Sequence, residues 1–165
     1  MRSIWGALLV AAMPLFGAAQ EQGAEEPGAK TGGQGDARSS PVGRWRTVDD
    51  VTGKTKSVVV IREENGRLYG EIERLVDPDP QYPKDPRCVR CPGEMRDKPV
   101  IGLRILWDLR KDGDQWSGGR VLDPDNGKTY RCHVAVEEGG EKLKVRGFIG
   151  FSLFGRTQTW LRDTE

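Results

Sequence analysis

The sequence predicts an all-β domain, a single antiparallel up-and-down barrel of about eight strands, with a β-sandwich as the alternative. Three observations carry this. From Pro41 onward short runs of alternating apolar and polar residues recur, and no stretch sustains a 3.6-residue period. The runs are punctuated by turn chemistry, of which Asn65-Gly66 is the strongest two-residue hairpin signal. The 22 Gly and 10 Pro divide between these turns and a polar stretch near the N-terminus. Eight hairpin-linked strands can close without a free edge, around an interior that holds side chains or one small ligand.

The first 40 residues stand apart from this pattern. Arg2 supplies a short positive region, and Ile4 to Phe16 is an uncharged, mostly apolar run of 13 residues. Gly17-Ala18-Ala19 then places small residues before Gln20. This is the layout of a secretory signal peptide over residues 1–19, and its apolar run is too short to cross a bilayer core of about 30 Å. A periplasmic or secreted protein is therefore expected. No Cys stands at the cleavage point and no twin-Arg pair precedes it, so neither a lipid anchor there nor twin-Arg export is indicated. Residues 20–40 contain no Val, Ile, Leu or aromatic residue and read as a disordered tether, because they bury too little apolar surface to offset ordering entropy. The domain is assigned to residues 41–165, long enough to fold alone.

Within the domain each strand has its own signal. Gly43–Thr47 carries Trp45, and a polar loop through Asp49-Asp50 and Gly53 leads to the β-branched run Lys56–Glu63. After Asn65-Gly66, Arg67–Leu75 places Leu68, Gly70 and Ile72 on one face. Residues 76–98 hold five Pro, two Cys and many charges, and read as a long loop. Ile101, Leu103, Ile105 and Trp107 alternate in the fourth run, which Asp112-Gly113 ends. Trp116–Asp123 follows, then the turn Asp123-Pro124-Asp125-Asn126-Gly127. Tyr130, Cys132, Val134 and Val136 share a face of the sixth run, Leu143 and Val145 mark the seventh over Lys142–Phe148, and Thr157–Arg162 is the last.

Lys plus Arg total 26 against 25 Asp plus Glu, a formal charge of +1. That balance predicts no nucleic-acid footprint and no polybasic membrane patch. No membrane-spanning segment, cofactor or metal is expected, and the protein is expected to be a monomer. His133, the only His, falls on the outer face by strand parity, which argues against a catalytic base. There is no G-x-S-x-G motif, and Asp123–Gly127 lacks the distal Glu of a calcium loop, that position being Val134. No catalytic residue is assigned.

Cys88-Val89-Arg90-Cys91 reads as a disulfide in an exported chain, between Pro86 and Pro92 and without the helix that a thioredoxin-like motif needs. Three Cys leave one over: either Cys88 pairs with Cys91 and Cys132 is buried, or a loop Cys joins Cys132.

Gly43-Arg44-Trp45 opening the first strand and Trp160-Leu161-Arg162 closing the last resemble the calycin superfamily of lipocalins, fatty-acid-binding proteins and avidins. The resemblance implies that Trp45 plugs the barrel base with Arg162 packed on it, a cation–π contact. The stretches Gly43–Lys56, Cys88–Gly93, Trp116–Tyr130 and Leu143–Arg162 resemble, more specifically, the bacterial exported family called domain of unknown function 2147. That resemblance implies a lipocalin-like barrel and no particular reaction.

The first functional expectation is thus a non-catalytic exported barrel that binds a small, largely apolar ligand. Trp107, Trp116, Tyr130, Phe148, Phe151 and Phe154 are the residues expected to line it or form its lid, with Arg156 facing an acidic head group. The alternatives are an envelope interaction module with a filled barrel, docked to a protein partner, and a thiol–disulfide protein using Cys88 and Cys91.

Overall fold

The structure is a computed structural model that describes residues 37–76, 78 and 83–165. The expected signal peptide and most of the tether lie outside the described residues. The strands are β1 (Gly43–Val48), β2 (Thr55–Glu64), β3 (Arg67–Leu75), β4 (Arg104–Asp112), β5 (Gln115–Asp123), β6 (Lys128–Glu137), β7 (Lys142–Phe148) and β8 (Gly155–Arg162). Each pairs antiparallel with the next, and β8 returns to β1, so the eight strands form a closed barrel. Among the described residues no helix is long and apolar enough to cross a membrane.

Local chemistry accounts for the connections. Asn65 and Gly66 take φ values of 52° and 73°, the pair of positive angles that a two-residue hairpin needs to match strand twist. The other short hairpins at this end turn at Gly113-Asp114 and at Glu138–Gly140. The β1–β2, β3–β4, β5–β6 and β7–β8 connections gather at the opposite end. Strand polarity thus gives the barrel two unlike ends, a base with tight turns and a mouth with longer loops.

The fourth strand departs from simple alternation. Ile101 is exposed and Gly102 turns the chain with φ 82°, so β4 starts at Arg104 rather than at Ile101. Leu68 lies opposite Leu109, Gly70 opposite Leu106 and Glu71 opposite Arg104, so β4 accommodates one extra residue at each step. These bulges bury Ile105 and Leu106 in succession and place Asp108 at φ 63°. Trp107 consequently pairs with exposed Arg120 on the outer wall instead of sharing the interior face with Ile105.

The base is sealed from within. Trp45 is fully buried and donates its indole N–H to the Pro41 carbonyl at 2.7 Å. The Arg162 guanidinium lies 4.1 Å from the Trp45 ring centroid. It also donates to the carbonyls of Gly140, Ser40, Arg38 and Val42. Residues 37–40, which composition assigns to the tether, accordingly form a short 3-10 turn and bend on this base. Composition shows their lack of apolar side chains but not the guanidinium that collects their carbonyls. Outside the same seam, the Asp163 carboxylate is 1% exposed, within 3.5–3.8 Å of Arg44, Arg46 and Arg74.

Removing the guanidinium leaves several carbonyls without their donor and the indole without its cation. Arg162→Met is expected to lower unfolding free energy by about 2 kcal/mol or more, the combined scale of a cation–π contact and charged hydrogen bonds. Urea unfolding followed by Trp fluorescence checks this; an unchanged midpoint would show that the seal contributes nothing.

Candidate ligand cavity

Alternation along the strands sorts the interior into two layers. Near the base, Trp45, Ile61, Leu68, Leu106, Leu109, Trp116, Val134 and Leu143 are buried and fill the barrel. Toward the mouth the side chains withdraw and leave a cavity of about 1640 Å³, open to solvent at that end. Its walls include Ile72, Leu75, Ile105, Val121, Val145 and Trp160. Trp160 donates its indole N–H to Gln158 at 3.1 Å, and Thr47 and Ser57 share a hydroxyl contact of 2.8 Å. The deeper part of the cavity is thus mainly apolar, with fixed polar groups at Thr47, Ser57 and Gln158, a make-up that suits a small-molecule site.

The rim is charged and internally paired. The Arg156 guanidinium, at the start of β8, donates to the Asp50 carboxylate in the β1–β2 loop and holds its pKa below the usual carboxylate range. Lys56 on β2 pairs with Asp125 in the β5–β6 turn, joining strands far apart around the barrel. Burial works against the Lys56 ammonium, yet Asp125, Asp49 and Asp123 together keep its pKa above the ordinary value. The Asp49 carboxylate caps its own loop through Thr52 and Val51, bonds that lower its pKa. Polar groups at the rim are therefore occupied with one another, while the deeper wall is apolar.

Of the side chains expected to contact a ligand, Tyr130, Phe148, Phe154 and Arg156 border the cavity. Tyr130 shares the inner face with Gly147, and its hydroxyl accepts from the Asn126 amide at 3.2 Å. Phe148 stands at the rim with its ring turned outward, 5.8 Å from the His133 ring. Trp107, Trp116 and Phe151 do not border the cavity. Trp107 lies on the outer wall, Trp116 is packed in the base layer beneath Lys111, and Phe151 is exposed on the β7–β8 loop. Sequence reasoning passed over Trp160, Gln158 and Ser57. Parity could have found the first two: if Arg162 points inward onto Trp45, then Trp160, Gln158 and Arg156 share its face.

Described residues of the long β3–β4 loop, Val76, Pro78 and Val100, form part of the mouth. Cys88 and Cys91 are joined in a disulfide and both are buried. The loop packs on the β5–β6 turn so closely that a Cβ at Gly127 would run into the Arg90 carbonyl. Val100, from the same loop, reaches the cavity wall. Cys132 is a free, buried thiol on β6. Among the described residues no group of three or more His, Cys, Asp or Glu gathers where it could hold a metal. His133 lies beside Arg146 on the outer wall, where burial and that guanidinium lower its pKa.

A closed eight-stranded antiparallel barrel, sealed by an Arg–Trp contact at one end and hollow at the other, defines the lipocalin-like class. A family model described as uncharacterized protein conserved in bacteria, DUF2147, matches residues 43–162, and the chain belongs to that family. Among solved structures it is similar to protein HP1028 from Helicobacter pylori, described as belonging to the lipocalin family. The identity is 26% and the TM-score 0.65, over 76% of this chain and 84% of that one. A comparison with curated proteins finds no match.

Burial pushes the Cys132 thiol up to about 12 from its ordinary 9.0. Between those two values the unfolded chain gives up this proton while the folded barrel keeps it, so stability falls as pH rises, by about 1.4 kcal/mol per unit. Cys132→Ala is expected to abolish that part of the alkaline slope. The native thiol should also resist alkylation at pH 8 until the barrel is unfolded; prompt labelling of folded protein would contradict its burial.

Proposed function

We propose that the protein is an exported, non-catalytic barrel that binds a small, largely apolar molecule in the cavity between its strands. The carrying observation is the cavity itself, about 1640 Å³, with a mainly apolar deeper wall below a charged rim at its open end. Its size exceeds the roughly 300–1,000 Å³ typical of small-molecule sites, which leaves room for an extended or bulky guest. An open cavity of this size supports a ligand carrier over a barrel packed solid for protein interaction. The buried sulfurs of Cys88 and Cys91 favour a loop staple over thiol–disulfide exchange, which needs an accessible sulfur. The similarity to a lipocalin-family protein supports small-ligand binding, and the N-terminal layout of residues 1–19 supports export.

Because Trp160 borders the cavity, a guest reports itself. Oleate is expected to shift Trp emission to shorter wavelength and to displace bound anilinonaphthalene sulfonate with one-to-one stoichiometry. Val145→Trp, which fills the sleeve from β7, should weaken both responses at least tenfold while preserving the far-ultraviolet spectrum. Equal binding by this variant would place the dye elsewhere and overturn the cavity reading.

A further inference from the structure

The outer wall of β4–β7 carries charge that the overall balance conceals. Trp107 on β4 is paired directly with Arg120 on β5, Arg120 with Arg131 on β6, and Arg131 with Phe148 on β7. Directly paired residues project from the same face, and strands lie about 4.8 Å apart, so these four form one row of roughly 15 Å. Arg110, paired with Ser117, extends the row's positive charge along β4 and β5. Arg110, Arg120 and Arg131 are exposed, and among the described residues no carboxylate pairs with any of them. On β1–β3 and at the start of β4 the arginines are matched: Arg44 with Glu73, Arg46 and Arg74 with Asp163, Arg62 and Arg104 with Glu71, and Arg67 with Asp108.

The row ends where an apolar loop begins. Phe148 leads into residues 149–154, in which Ile149, Phe151, Leu153 and Phe154 are 68%, 78%, 84% and 76% exposed. Arg146 holds this loop to the wall, donating from Nε to the Ser152 carbonyl at 2.9 Å and from Nη1 to the Thr157 hydroxyl at 2.9 Å. Four large apolar side chains within six residues, fixed beside unpaired guanidiniums, form one continuous surface rather than scattered exposed residues.

We propose that this surface docks the protein on an anionic lipid bilayer, with the 149–154 loop entering among the acyl chains and Arg110, Arg120 and Arg131 meeting lipid phosphates. Apolar side chains buried a few ångströms below the headgroups, together with basic residues at headgroup level, are the two signals by which peripheral proteins bind such membranes. Ile149 and Leu153 set this surface apart from a nucleic-acid platform, which needs flat rings for base stacking. The inference goes beyond ligand binding, and it fails or stands independently of the cavity. Because Ile149 and Phe154 also border the cavity, docking would turn the mouth toward the bilayer.

Vesicle flotation tests it with the full chain. The protein should float with phosphatidylcholine vesicles containing about one third phosphatidylglycerol, and much less with pure phosphatidylcholine or at high salt. R120E/R131E is expected to reduce partitioning at least tenfold, and F151S/L153S, at two loop positions that do not border the cavity, by a similar factor. Both should keep the far-ultraviolet spectrum and the urea midpoint of the wild-type barrel, which shows that they are folded. Residues 1–36 are common to all three proteins, so flotation that survives both sets of substitutions would assign binding to that segment and overturn the proposal. Retention on heparin with no flotation would assign the arginines to another polyanion and overturn it as well.

Discussion

Closure of the sheet at the β1–β8 seam is the constraint on which the rest of this structure depends. The seam is short: Trp45 opposite Arg162 and Arg46 opposite Leu161 are its paired positions. An open eight-stranded sheet would expose two long edges, each a template for pairing with another chain. The seam is reinforced on both sides. Inside, Arg162 covers Trp45 and gathers carbonyls from residues 38–42 and from Gly140. Outside, Asp163 lies among three arginines and its backbone N–H donates to the Arg44 carbonyl at 2.9 Å. One short stretch of chain therefore both closes the barrel and caps it.

Sealing one end decides where a cavity can exist. Large buried side chains, among them Trp45, Ile61, Leu68, Leu109, Trp116, Val134 and Leu143, gather in the Trp45 layer and fill the base. Farther along the same strands the inward positions hold Ser57, Val121, Gly147 and Gln158, which are too small or too polar to meet at the centre. The loops at that end are tied by ion pairs, Asp50 with Arg156 and Lys56 with Asp125, and by the disulfide-closed loop lying on Gly127. The mouth is consequently a framed opening rather than a gap between loose segments. An apolar guest would meet charged groups already satisfied by one another and, beyond them, a wall that offers water little.

Much of this architecture was legible because it rests on local rules. Asn65-Gly66, the β-branched run of β2 and the alternation of Leu68, Gly70 and Ile72 each obey turn or strand chemistry within a few residues. The seal of Trp45 by Arg162 joins the two ends of the barrel and was legible only through the resemblance to calycins. What escaped was non-local. Two bulges in β4 arise from its register with β3 and turn Trp107 outward, and no pattern within β4 signals them. Trp116 looked like a cavity residue because an aromatic on a strand reads alike in either layer; only its pairing with Val134, near the base, separates the two. Net charge misled for a related reason. A total of +1 is compatible with matched pairs on β1–β3 and unmatched arginines on β4–β6, since summing erases position.

The most direct measurement of the central claim, that the hollow half of the barrel holds one small guest, is native mass spectrometry after incubation with excess bacterial lipid extract. The account expects a one-to-one complex of discrete added mass, which is lost on denaturation while the covalent mass retains one disulfide. A native spectrum showing only bare protein across the extract's lipid classes would contradict it.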